Sequence, residues 1–189
     1  MGIKRKFVYL VITTALAAAG STLTGLLFYQ GAIFRVSDIT FQFVSFGIVG
    51  GLVFSTFRFL SKPQSAVVLI LLLLVDVLLQ RSNIWRFMLR DLLYYFGIVS
   101  SLFVFARYYF DRVGGVFGGR SIVLASLTAL SYIVAAIVIY VLFAGVSGDL
   151  ELDLSRMVLF NISQGFLLGL GAGAGIETAE YLSKRAGIP

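Results

Sequence analysis

The sequence predicts an all-α fold, a polytopic membrane protein built as a bundle of six transmembrane helices. Of its 189 residues, 59% are hydrophobic and only 13% are charged, whereas a soluble domain carries about 25% charged residues. Six stretches are apolar on every side, which favours helices over the alternating strands of a barrel. Each approaches the roughly 20 residues that a helix needs to cross a bilayer. The predicted spans are 7–28, 39–60, 64–80, 84–110, 121–144 and 154–182.

The first span follows Lys4, Arg5 and Lys6. A basic start, an apolar middle and the small residues 17–19 are also typical of a secretory signal with its cleavage site. The apolar run continues to Phe28, however, and is then long enough to cross a bilayer. We therefore expect a retained helix.

Turn and cap signals separate the later spans. Pro63 suits the first turn of the third helix, because its missing N–H costs nothing there. The third span is short and the fourth is long, so we expect the fourth to tilt or to project from the membrane. Four glycines between 114 and 119 open the fourth connection, and Asp153 is a suitable N-cap for the last helix.

The basic residues predict the orientation. With the N-terminus inside, ten of the 15 Lys and Arg fall on the cytoplasmic side, as the positive-inside rule requires. Both termini are then cytoplasmic, in a prokaryotic-type inner membrane. All connections are short, so residues 1–189 are expected to form a single transmembrane domain.

The chain contains no His and no Cys. This excludes imidazole and thiolate metal sites, axial His ligation of haem, disulfides, and Ser-His-Asp or cysteine catalysis. We expect no catalytic residue, no metal and no cofactor, and the protein is not expected to be an enzyme. The basic residues are spread over loops, so nucleic acid is not an expected partner either.

The outer hairpin between spans three and four carries arginines against the orientation rule. The simplest interpretation is a set of ion pairs that pin the two helices. A second is an outward-facing anion site, because guanidinium groups bind carboxylate or phosphate bidentately while aromatic rings pack on the rest of a ligand. A proton relay through Asp76 is the third interpretation. The candidate ligand-binding residues are Asp76, Arg81, Trp85, Arg86 and Arg90.

The last span is rich in glycine, with small residues four apart on two faces. This spacing is typical of closely packed membrane helices; the alternative is an unwound segment that lines an ion path. Asn161 and Gln164 share a face and indicate either interhelical hydrogen bonds or ligand contacts, whereas Glu177 is expected on a solvated face. The candidate packing residues of this span are Gly165, Gly169, Gly171, Gly173 and Gly175.

The first span offers a further candidate packing pair, Ala15 and Ala19, four residues apart. With six spans in a chain of this length, that motif resembles the substrate-binding membrane components of energy-coupling-factor vitamin transporters. The resemblance covers the layout and this one motif. It implies that the first helix docks to a transmembrane coupling subunit.

Three functions remain for such a chain. It could be a solute-binding or transport component, for a small anionic solute bound near the outer face. Alternatively it could be a non-catalytic accessory subunit of a larger membrane complex, or a channel-like oligomer. Expected partners are membrane lipids, and other membrane subunits or further copies of the chain held through small-residue helix faces.

Overall fold

All regular structure in the described part of the chain is α-helical, without a strand, so the predicted all-α class is confirmed there. The computed structural model describes residues 2–28, 36–57, 59, 63–64, 67, 70–71, 120–143 and 154–187. The continuous helices of this part are α1 (Ile3–Phe28), α2 (Val36–Phe57), α3 (Arg120–Phe143) and α4 (Leu154–Arg185).

Three of these helices are long and apolar enough to cross a membrane. They are α1, α3 over Ser121–Val138, and α4 over Val158–Arg185. In α2 the apolar stretch found among the described residues is shorter, Phe46–Thr56. These lengths are those of a helical membrane protein. The predicted span 84–110 lies outside the described residues, and of 64–80 only single positions are described.

The four helices overlap the predicted spans 7–28, 39–60, 121–144 and 154–182, and α1 and α4 extend beyond the predicted bounds. Helix α1 begins at Ile3 and takes in Lys4, Arg5 and Lys6, because charged residues can continue a helix outside hydrocarbon. Helix α4 ends at Arg185. There Gly187 has φ 59° and its N–H bonds to Lys184 O at 3.2 Å, which is the left-handed conformation that terminates many helices.

The helices pack in the order α2, α1, α4, α3, each antiparallel to its neighbour. Facing positions run in opposite directions along each pair of helices: Gly47 and Gly51 of α2 lie against Ala18 and Thr14 of α1, respectively. The same holds for α1 against α4 and for α4 against α3. A lighter contact joins α2 to α4, where Gly50 meets the side chain of Leu168. Helices α1 and α4 therefore form the centre of the described bundle.

This order places four helix ends together. The start of α1, the end of α2, the start of α3 and the end of α4 lie at one end of the bundle, here called the basal end. The opposite end, here the distal end, holds Phe28 and the start of α4. At the basal end Glu177 Oε1 accepts a hydrogen bond from the Ser121 N–H at 3.3 Å. A carboxylate at this position is stabilised by the positive, N-terminal end of the α3 dipole.

Candidate functional site

The predicted anion-binding residues Asp76, Arg81, Trp85, Arg86 and Arg90 lie outside the described residues. What the described part of the chain offers is a set of buried polar side chains on α1 and α4. These side chains form two groups, one towards each end of the bundle. An apolar middle separates them.

The first group, here the distal quartet, consists of side chains of α1 and α4 about 10 Å from the distal end, as helix rise measures it. All four side chains are at most 3% exposed. Gln164 Nε2 donates a 2.7 Å hydrogen bond to Ser21 Oγ, and Thr24 Oγ1 donates to Ser163 O at 3.5 Å. The hydrogen-bond interpretation is thus confirmed for Gln164. The quartet consists of Ser21, Thr24, Asn161 and Gln164.

The quartet keeps one acceptor atom without a partner. Gln164 Oε1 is buried and makes no hydrogen bond. Burying such an atom unpaired costs about 1–3 kcal/mol. Chemically, this carbonyl oxygen accepts an N–H or O–H from a neutral or cationic group and does not bind an anion.

Aromatic rings enclose the distal end of this seam. Phe160 of α4 packs edge-to-face against Phe28 of α1 at 5.5 Å between ring centroids, and against Phe43 of α2 at 6.1 Å. The Phe43 ring in turn lies on Gly25 of α1, one residue from the quartet. Three helices therefore meet in one aromatic cluster beside the buried amide of Gln164.

The second group, here the basal group, consists of buried side chains of the same two helices towards the basal end. Thr13 and Ser183 are at most 1% exposed and their hydroxyls make no hydrogen bond. Several other hydroxyls of the bundle bond to a carbonyl of their own helix, as Thr22 Oγ1 does with Ala18 O at 2.7 Å. Glu180, 7% exposed, is the buried carboxyl group among them. The basal group is Tyr9, Thr13, Glu180 and Ser183.

Between the two groups the helices touch backbone to backbone. A Cβ placed on Gly175 would lie 2.5 Å from Thr13 Cα, and one on Gly171 would lie 2.8 Å from Leu16 C. Ala17 and Ala172 beside them are fully buried. There is no room for a polar path along the α1–α4 seam between the described groups. A solute would have to pass elsewhere.

The other glycine row of α4 faces α3. A Cβ on Gly169 would lie 2.7 Å from Ala125 Cα, and one on Gly165 would lie 2.7 Å from Ala129 Cα. A Cβ on Gly173 would likewise lie close to the Cα of Ser121. The structure thus puts Gly165, Gly169 and Gly173 against one helix and Gly171 and Gly175 against another, and α4 is continuously helical through all five.

On α1 the row that faces its neighbours differs from the predicted pair. Ala15 and Ala19 are exposed. The buried row lies two residues away along the chain and also repeats in steps of four. It consists of Tyr9, Thr13, Ala17, Ser21 and Gly25.

Sequence reasoning missed several residues that the structure brings to the seam. Ser21 and Thr24 were not paired with Gln164, and the aromatic cluster was not foreseen. Gly47 and Gly51 of α2 show the same four-residue spacing as the glycines of α4 and could have been found by it. Among the described residues, no group of three or more His, Cys, Asp or Glu could hold a metal ion.

The distal quartet and the basal group must be interpreted from their own chemistry. The layout that resembles energy-coupling-factor components stays a resemblance. Comparisons of the chain with models of protein families, with curated proteins and with solved structures give no significant match.

Proposed function

We propose that the chain is a solute-binding or transport component of a prokaryotic-type inner membrane, for a small anionic solute. In this proposal Arg81, Arg86 and Arg90 bind the anion at the outer face with Trp85, and Asp76 orients one of the arginines. The observation that carries it is the excess of arginine on a predicted outer hairpin, against the orientation rule.

The direction of the described helices supports this placement. Helix α2 ends and α3 begins at the same, basal end, so an even number of proposed spans between them fits the described helices. The predicted spans 64–80 and 84–110 meet that condition and give six spans in total. The arginine hairpin then falls at the distal end. Lys and Arg at the basal ends of α1 and α4 favour a cytoplasmic basal end.

The distal quartet supports a solute site at the same end. It is the buried polar group nearest to that end in the described part of the chain, and Gln164 Oε1 is an acceptor still to be paired. A small acid carries donors as well as negative charge, for example a hydroxyl or an amino group. In the proposal the arginines hold the charge, and Gln164 accepts a hydrogen bond from a neutral part of the solute.

Ligand-dependent thermal stabilisation of the purified protein tests the proposal. A screen over small carboxylates and phosphates is expected to find a compound that raises the unfolding midpoint. The Arg86→Ala variant should lose this rise, because a hydrogen bond to a charged group contributes about 1.5–3 kcal/mol, which is on the order of tenfold or more in affinity.

Arg185→Ala is the matched control, since it removes the same charge from an exposed position at the basal end. It should keep the ligand effect. If Arg86→Ala keeps the full shift, or Arg185→Ala loses as much as Arg86→Ala, the anion site at the outer hairpin is refuted.

A second function, an accessory subunit of a membrane complex, is favoured by the exposed pair on α1. Ala15 and Ala19 lie four residues apart on the face that α2 and α4 leave open. Small residues at this spacing let a further helix approach closely. In this interpretation α1 carries the contact with another subunit or with a second copy of the chain.

Substitution of Ala19 by leucine distinguishes an accessory subunit from a channel-like oligomer. If α1 docks to a partner helix, the variant should lose a partner that copurifies with the wild type at fixed stoichiometry, while its own unfolding midpoint stays close to wild type. Ser126→Leu, which enlarges another small and exposed residue on α3, is the control. If the variant instead changes the number of copies of the chain in the purified complex, the channel-like oligomer is favoured. If the composition of the complex does not change, docking through this face of α1 is excluded.

A further inference from the structure

Two hydrogen-bond donors are left without acceptors at the basal end of the α1–α4 seam. Arg5 Nε is buried and makes no hydrogen bond, and the same holds for Ser183 Oγ. Ser183 is 1% exposed. One atom belongs to the first turn of α1 and the other to the last turns of α4.

The register of the two helices puts these residues at one level. Going towards the basal end, Gly171 lies against Leu16 and Gly175 against Thr13. The next four-residue steps along α4 reach Ala179 and then Ser183, which are both buried. On α1 the corresponding levels are Tyr9, also fully buried, and Arg5. Ser183 therefore ends the row of α4 that faces α1, beside the turn that contains Arg5.

The hydroxyl of Ser183 does not take the bond that a helix offers it. Ser55 and Ser131 donate to carbonyls of their own helices at 3.1 and 2.9 Å, a bond that helical serines commonly form. Ser183 Oγ makes none. Its hydrogen is free to point out of its own helix towards an acceptor between α1 and α4.

The surrounding charge indicates which kind of acceptor fits. Lys4, Lys6 and Arg185 are exposed around the same end. Glu177 and Glu180 are the opposing charges of α4, but Glu180 is buried and Glu177 bonds to the start of α3. The surface around the basal end is therefore basic. An anion with several oxygens, such as phosphate, matches a guanidinium and a hydroxyl together.

We propose that Arg5 and Ser183 bind the phosphate group of an anionic phospholipid at the basal end of the α1–α4 seam. Arg5 donates through its guanidinium and Ser183 through its hydroxyl, while the exposed lysines attract the negative headgroup. Both donors sit where the helices end, which is the depth of headgroups for a helix that spans the bilayer. The inference does not depend on the outer anion site.

Lipid binding to the purified protein in detergent tests the site. Native mass spectrometry and thermal unfolding would be measured with phosphatidylglycerol, with phosphatidylcholine and with inorganic phosphate. Wild type should bind phosphatidylglycerol in preference to phosphatidylcholine. Arg5→Gln should weaken phosphatidylglycerol binding roughly tenfold, and Ser183→Ala a few-fold. Arg5→Lys, which keeps the charge but loses the planar fork, should fall between Arg5→Gln and the wild type.

Two controls separate a built site from diffuse attraction. Arg185→Gln removes an exposed charge at the same end, and Ser55→Ala removes a buried hydroxyl that is bonded within its own helix. Both should retain binding within about twofold of wild type. Equal losses in Arg5→Gln and Arg185→Gln would overturn the site, as would equal binding of the two lipids. An Arg5-dependent effect of inorganic phosphate without any effect of phosphatidylglycerol would overturn the assignment to lipid.

Discussion

The Gly171→Ala variant is expected to lose about 1–3 kcal/mol of unfolding free energy, the usual cost of forcing a methyl group into a packed interface. The new Cβ would lie 2.8 Å from Leu16 C and closer still to Leu16 O. Both are backbone atoms, so no side chain can turn away to make room. Alanine favours a helix by about 1 kcal/mol over glycine, and the clash must outweigh that gain. Gly171→Leu is expected to prevent the native contact of α1 with α4.

The measurement is thermal or denaturant unfolding of the variants in one detergent. Gly50→Ala is the matched control, because its Cβ would meet only the end of the Leu168 side chain, at 3.0 Å from Cδ1 and Cδ2. That side chain can shift, so the control should stay within about 1 kcal/mol of wild type. Equal stability of Gly171→Ala and wild type would show that the helices are not in backbone contact.

The Ser21→Ala variant is expected to be destabilised by about 1–2 kcal/mol, although it removes only one oxygen atom. Gln164 Nε2 would lose its 2.7 Å acceptor in a fully buried position. Its Oε1 atom already makes no hydrogen bond. The whole amide would then be buried without a partner, and the cost of an unpaired buried group exceeds the value of the bond itself.

The double variant Ser21→Ala, Gln164→Leu gives the decisive comparison. Leucine removes both amide atoms, so the pair should regain most of the stability that Ser21→Ala loses, and Gln164→Leu alone should be close to neutral. Ser55→Ala serves as control, because its hydroxyl bonds only to Leu52 O of its own helix. Additive losses in the double variant would contradict the predicted coupling.

Helix class and approximate bounds followed from hydropathy, because a long apolar run without alternation is typical of a membrane helix and not of a barrel strand. The ends did not follow. Lys4, Arg5 and Lys6 belong to α1, and α4 continues to Arg185. Hydropathy measures which residues avoid water, while a helix ends where its backbone finds a cap, here at Gly187.

The packing faces could be predicted only in part. The glycines of α4 predict its packing faces. Glycine inside a helix costs about 0.5–1 kcal/mol relative to alanine, so it needs a compensating contact. Alanine carries no such cost. On α1, Ala15 and Ala19 have the same spacing as the buried Thr13, Ala17 and Ser21, so spacing alone could not identify the buried row.

Polar contacts between helices depend on the relative register of the two helices, which hydropathy does not predict. Gln164 was a candidate for an interhelical hydrogen bond, yet its partner Ser21 became evident only once α1 lay antiparallel to α4. Glu177, expected on a solvated face, is half-buried and also accepts a hydrogen bond from the first turn of α3. The unpaired donors Arg5 Nε and Ser183 Oγ are properties of atoms in space and leave no pattern in the chain.

The glycine contacts of α4 also limit how the bundle can move. Helices whose side chains interdigitate can slide by small rotamer changes, since each side chain offers several low-energy positions. At Gly169 and Gly175 the neighbouring atoms are the Cα atoms of Ala125 and Thr13, and these have no rotamers to exchange. Helices α1, α3 and α4 should therefore travel together as one rigid body, and a conformational cycle would have its hinge outside this trio.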